Sequence, residues 1–175
     1  MRYQGLAFRF HDAGYAWEPI SGEGASIVGG RFNEIGVRTL YLGLQATTAF
    51  NERCQGFGHR AHPPAIFVTC EVDCDDIEDL TNRATRTRLN VNLADLRCPW
   101  FALAKRGQPV PSRIVAARIR QNAAGIIVPS FAPGATRGAT NLVLWRWGND
   151  LPHRVRLFDP QNVFLRMRRP AADEC

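Results

Sequence analysis

A chain of 175 residues and 19.6 kDa has the length of one domain and can bury roughly 70% of its unfolded surface, enough for a core without staples. Its 45% hydrophobic and 22% charged residues exclude a disordered chain, and no run approaches the ~18–20 apolar residues of a membrane-spanning helix. The net charge of +6 raises the question of a polyanionic partner, yet the arginines are scattered and form no basic arm or block.

In chain order, Leu6–Phe10 alternates like a first strand. A long glycine-bearing loop runs from Ser21 to Gly36, followed by a short apolar strand, Thr39–Leu42. Thr47 or Thr48 is placed to cap a helix carrying Ala49, Phe50, Glu52 and Arg53, which ends before Gly56 or Gly58. Pro63-Pro64 breaks the chain, and Ala65–Val72 reads as another strand. Between Asp73 and Arg97 the polar pattern predicts loop with one or two short helices. Pro111-Ser112 opens the clearest helix, with Ile114, Val115, Ala117, Arg118 and Ile119 before Asn122. Gly125–Pro129 is a short apolar strand that stops at its proline. Asn141–Trp147 and Arg154–Phe158 read as two strands around a Gly148-Asn149-Asp150 turn, with a last strand at Val163–Met167. This order suggests a mixed α+β core rather than regular βαβ winding.

Five cysteines (Cys54, Cys70, Cys74, Cys98 and Cys175) are an odd number at irregular spacing, so reduced thiols are expected. Cys70 and Cys74 fall on one face of a strand, not at the CxxC spacing of a zinc knuckle. His59 and His62 have no accompanying carboxylate pattern, so no metal is expected. The opening MRYQGLAFRF has no apolar h-region, which predicts a cytoplasmic protein.

Four features bear on chemistry. Ser21–Asn33 sets Gly29-Gly30 directly before Arg31, which lets backbone approach a ligand and aims five N–H donors at a phosphate. It has neither Rossmann nor Walker spacing, and spacing alone fits a surface loop equally well. Tyr41 stands on the strand after it, as a core residue or as a platform for a flat heterocycle. Glu52 lies on the following helix, facing either an arginine or solvent. Ser130 follows the Ile126–Pro129 run, as a turn residue or at the rim of a cleft.

Together these segments resemble the RES domain. The resemblance is carried by Ser21-Gly22-Glu23-Gly24 through Gly29-Gly30-Arg31-Phe32-Asn33, Gly36, Leu40-Tyr41-Leu42, Thr48–Glu52 and Gly125–Ser130. Asn141–Leu144 and Phe158-Asp159-Pro160 extend it to roughly residues 8–164 of a single domain. The Arg, Glu and Ser that name the family fall on Arg31, Glu52 and Ser130, and Phe32 stands where many members have Trp. The resemblance implies an α+β fold like that of ADP-ribosyltransferases, with a split, bent sheet, flanking helices and NAD in a cleft. It implies a toxin of a bacterial type II toxin–antitoxin pair that consumes NAD by hydrolysis, phosphorolysis or transfer of ADP-ribose to a protein, and so arrests growth.

NAD is then a substrate, with no cofactor and no metal. Cleaving its nicotinamide–ribose bond develops an oxocarbenium charge that a carboxylate stabilises, a role that falls to Glu52. Gly30 and Arg31 would hold the pyrophosphate or ribose-phosphate, Tyr41 would pack on nicotinamide or its ribose, and Ser130 would orient the ribose or the Arg–Glu pair. Asn33 or Asn141 could donate a further hydrogen bond. An Xre-type helix-turn-helix antitoxin would cover the cleft and supply any DNA binding, with the arginines from Arg146 to Arg169 as a candidate docking surface. The alternative is a non-catalytic basic module that binds nucleotides or nucleic acid.

Overall fold

The computed structural model describes residues 1–55 and 63–166. His59, His62, Cys175 and the last arginines of the Arg146–Arg169 group lie outside the described residues. Among the described residues, seven strands and six α-helices make a mixed α+β domain: β1 (Tyr3–Asp12), α1 (Glu23–Val28), β2 (Leu40–Gly43), α2 (Ala46–Cys54), β3 (Ala65–Cys74), β4 (Ile77–Asp79), α3 (Arg83–Arg88), α4 (Leu93–Arg97), α5 (Trp100–Lys105), α6 (Pro111–Arg120), β5 (Gly125–Pro129), β6 (Thr140–Leu144) and β7 (His153–Leu157). Among the described residues no helix is long and apolar enough to cross a membrane.

The strands form one sheet in the order β4-β5-β6-β2-β1-β3-β7. β1 and β3 pair antiparallel over ten residues, whereas β1 meets β2 through a single pair, Phe8 and Gly43. The sheet therefore parts into β4-β5-β6-β2 and β1-β3-β7 on either side of a narrow junction. A first core joins Leu40, Leu42, Ile127, Leu142 and Leu144 from one half to Ala7, Val68, Cys70, Val72, Cys74 and Val155 from the other. Among the described residues no α-helix contributes to this core, so the two halves cover each other, as stacked sheets do. The opposite face of β5 and β6 carries Ile126, Val128 and Val143, which pack with Leu96 of α4 and Val115, Ala116 and Ile119 of α6 in a second core. The continuous Ile126-Ile127-Val128 run is apolar because both of its faces are buried.

Several expectations need correction. The glycine-bearing segment holds a helix, α1, bounded by Gly22 at φ 68° and Gly29 at φ 71°; its interior Gly24 hides the helix from propensity arguments. The caps expected at Thr47 or Thr48 are not used. α2 starts at Ala46, and Thr48 Oγ1 donates to the side chain of Gln45, the N-cap residue, at 2.8 Å. The strand read as Asn141–Trp147 stops at Leu144, because the N–H groups of Trp145 and Arg146 both donate to Ala124 O (2.8 and 3.1 Å). Two donors on one carbonyl make the local bulge that ends the ladder. Nor are β6 and β7 sheet neighbours, since the Gly148–Asp150 turn leads from one half of the sheet to the far edge of the other. The last expected strand is a 3₁₀ turn, Phe164–Arg166, begun where the Asp159 carboxylate accepts from the N–H of Val163 and Phe164 at 2.8 Å each; Met167 lies outside the described residues. β4 and α5 had no sequence signal of their own.

Candidate active site

Where β1 and β2 part, the sheet opens into a cleft of about 480 Å³. Its lining includes Arg9 of β1, Gly30 and Arg31 of the glycine loop, Tyr41 of β2, Glu52 of α2 and Asn141 of β6. Phe8 and Gly43, the pair at the junction, also line it. Gly43 admits no side chain there, since a Cβ would stand 2.6 Å from the backbone nitrogen of Ala49.

Glu52 sits in the last turn of α2 and is held from the sheet. Ser130 Oγ, just past β5, donates to Glu52 Oε1 at 2.7 Å, and Asn141 Nδ2 donates to the same oxygen at 2.5 Å. The two donors ride on adjacent strands, because β5 and β6 pair with Val128 opposite Asn141 and Ser130 N donates to Ala139 O at 2.8 Å. Gln55 Nε2 donates to the other oxygen, Oε2, at 2.5 Å. Three donors on two oxygens suit an ionised carboxylate, which can only accept. Such a carboxylate, fixed in a cleft, is placed to stabilise positive charge that develops on a bound ligand.

The glycine loop is fixed by its own geometry. Gly29 uses a positive φ that side chains rarely adopt. Gly30 is required for close approach: a Cβ there would lie 2.5 Å from the Tyr41 hydroxyl and 2.6 Å from Asn33 Oδ1. The Tyr41 hydroxyl donates to Asn33 Oδ1 at 2.7 Å and accepts from Phe32 N at 3.0 Å. Burial pushes the Tyr41 phenol above its ordinary range. Asn33, which does not line the cleft, directs its amide to the carbonyls of Ala25, Glu34 and Val37. The backbone carbonyls of Gly30, Arg31 and Phe32 accept from Arg113, Ser112 and Trp145, at 2.8, 2.6 and 3.2 Å. The half-buried Arg31 guanidinium donates through Nη1 to the carbonyls of Leu96 and Cys98 (3.1 and 2.7 Å) and lies 5.0 Å from the Phe131 ring centroid. Burial lowers its pKa from the ordinary arginine value, against the raising effect of Cys98, Glu52 and Tyr41.

Two polar residues of the cleft, Arg9 and Gln55, escaped the sequence reading. Arg9 points inward with Ala7; its Nη1 is shut off from solvent and has no hydrogen-bond partner among the described residues. Burial depresses its guanidinium below the usual arginine range, and burial likewise pushes the neighbouring Cys70 thiol up to about 12. The signal was present in Leu6–Phe10, whose alternation sets an arginine on the same face as Ala7, a costly place for a charge without a task. Gln55 is the other, one residue past the end of α2 and exposed at the cleft lining.

The structure thus brings Gly30, Arg31, Tyr41, Glu52 and Asn141 to the lining of one cleft, with Ser130 bonded to Glu52 and Asn33 bonded to Tyr41. No protein of curated function matches the chain. The RES domain family model matches residues 6–164, a span that includes both halves of the sheet and every residue of the cleft discussed above, so the chain belongs to the RES domain family.

Proposed function

We propose that the cleft binds NAD as a substrate and cleaves the bond between nicotinamide and ribose. The observation that carries this reading is Glu52, a lining residue of the cleft held at Oε1 by Ser130 and by Asn141, the strand partner of Gly43. As the bond to nicotinamide breaks, its electron pair leaves with the ring nitrogen and positive charge grows on the ribose. A carboxylate already oriented by two donors stabilises that charge without reorganising. The aromatic ring of Tyr41 gives the flat nicotinamide a wall to pack against.

The diphosphate requires cations. Arg9 supplies a buried guanidinium nitrogen with no partner among the described residues, and a doubly charged linker is a counterpart that would offset its desolvation. Arg31 adds a second guanidinium to the same cleft, while its Nη1 anchors it to α4 and the turn after it. The partition of the sheet into two halves around the cleft fits the ADP-ribosyltransferase-like layout that the family implies. We further propose that the chain is the toxin of a bacterial toxin–antitoxin pair, that an Xre-type antitoxin covers the cleft mouth, and that loss of NAD or modification of a target arrests growth. The acceptor is water, phosphate or a protein side chain.

The test incubates NAD with purified protein, wild type beside Glu52→Gln, with phosphate in one aliquot and cell lysate in another, and identifies products by mass spectrometry. Free ADP-ribose or its phosphate ester marks a hydrolase or phosphorylase; a lysate protein that gains an ADP-ribose mass marks a transferase. Glu52→Gln should lower turnover at least about a hundredfold, a typical loss when one transition-state stabilising group goes. Equal turnover by both proteins, or none by wild type, refutes the proposal.

A further inference from the structure

The helix α5 carries Trp100 and Phe101 yet buries none of its six residues. Trp100 belongs to neither hydrophobic core and is not among the partly buried side chains packed against them, so packing does not account for a tryptophan at this position. It does line the cleft. The Arg113 guanidinium lies 5.6 Å from its ring centroid, and the Phe101 ring meets it edge to face, also at 5.6 Å. Neither Arg113 nor Phe101 lines the cleft, so both steady the indole and leave the surface that does line it open to a ligand.

The other aromatic rings of the lining are engaged. Phe131 carries the Arg31 guanidinium, Phe8 and Phe10 pack on Phe67, and Phe32 is buried in the second core. Tyr41 is the wall proposed for nicotinamide, which leaves Trp100 for a second flat ring. The backbone ties Trp100 to a cation proposed for the diphosphate: Arg31 Nη1 and Trp100 N donate to one carbonyl, Cys98 O, at 2.7 Å each. In NAD the diphosphate joins nicotinamide riboside to adenosine, so the group held by Arg31 has a ring on either side of it.

We propose that Trp100 is the platform on which the adenine ring of NAD stacks. The proposal rests on the NAD reading and deepens it. A purine is flat, with its polar atoms at its edge, so an indole face takes it without burying an unpaired polar group. Adenine does not react. Its binding energy serves to fix the ribose at Glu52.

The experiment compares NAD with nicotinamide mononucleotide, which has the same scissile bond but no adenylate, for wild type, Trp100→Ala and Trp100→Phe. Wild type should show the higher kcat/KM with NAD. Trp100→Ala should lower kcat/KM for NAD about tenfold, as loss of an aromatic platform under a base does, and leave that for the mononucleotide within about twofold. Trp100→Phe keeps a stacking face and should retain most of the preference for NAD. Equal kcat/KM for both substrates in wild type, equal losses for both in Trp100→Ala, or no loss at all, overturns the proposal while NAD cleavage stands. Where wild type consumes no NAD, or no mononucleotide, calorimetry with ADP decides instead. Binding to Trp100→Ala about tenfold weaker than to wild type supports the platform, even if the cleavage reading has fallen. Equal binding by the two proteins, or none by wild type, overturns it.

Discussion

Replacing Gly30 by alanine tests the architecture of the Arg31 loop without assuming any activity. The new Cβ would lie 2.5 Å from Tyr41 Oη, 2.6 Å from Asn33 Oδ1 and 3.0 Å from Tyr41 Cζ, all well inside van der Waals contact. Side-chain ends can often swing away, but these two are tied. The Tyr41 hydroxyl is held between Phe32 N and Asn33 Oδ1, and the Asn33 amide donates to three carbonyls. Overpacking costs about 1–3 kcal/mol, and a buried N–H left unsatisfied adds about 1–3 kcal/mol, so a loss of about 2–6 kcal/mol is expected. For a chain of this size that lowers Tm by roughly 5–15 °C. Gly24→Ala is the internal control: its Cβ meets nothing within 4 Å and lies inside α1, so it should gain about 0.5–1 kcal/mol from helix propensity. Thermal melts of the three proteins decide the matter. A Gly30→Ala melt within a degree of wild type would refute the close-packed Tyr41–Asn33 arrangement.

Arg9→Met should raise stability by about 1–3 kcal/mol, because it removes a guanidinium whose Nη1 is buried without a partner among the described residues and fills the space with an apolar chain. It should abolish NAD turnover, and the combination, read by urea unfolding and product assay, distinguishes a functional charge from a structural one. His11 is buried, and that burial, with Arg9 nearby, depresses its pKa below 6.5 against the opposing effects of Tyr15 O and Asp12. Protonation then favours the unfolded chain, so this contribution to stability is complete above about pH 6.5 and is lost as pH falls below it. Urea midpoints at about pH 7.5 and pH 5 should differ more for wild type than for His11→Gln; equal pH slopes would remove His11 as the cause.

Local chemistry made much of this protein legible from its sequence. Period-two alternation in Leu6–Phe10, the apolar run Gly125–Pro129 and the proline-started pattern after Pro111 announce β1, β5 and α6 because each element's periodicity follows from its own burial. The glycine pair before Arg31 marked a constrained loop for the same local reason: Gly29 needs its φ and Gly30 its missing Cβ.

Tertiary structure decided what those elements do to one another. β4 has three residues and exists through its parallel pairing with β5, 48 positions away at Ile77 and Gly125; no local pattern encodes such a partner. The single β1–β2 pair that opens the cleft is a property of two strands diverging, invisible in either strand alone. Glu52, Ser130 and Asn141 are separated by 78 and 89 positions from carboxylate to donor, and only the β5–β6 ladder sets both donors on one oxygen. Arg9 followed from the same cause: it is an ordinary polar residue on a strand until the fold buries it without an anion. Residue type and periodicity are local quantities, whereas the meeting of charges across a cleft depends on which strands the chain brings together and where it lets them part.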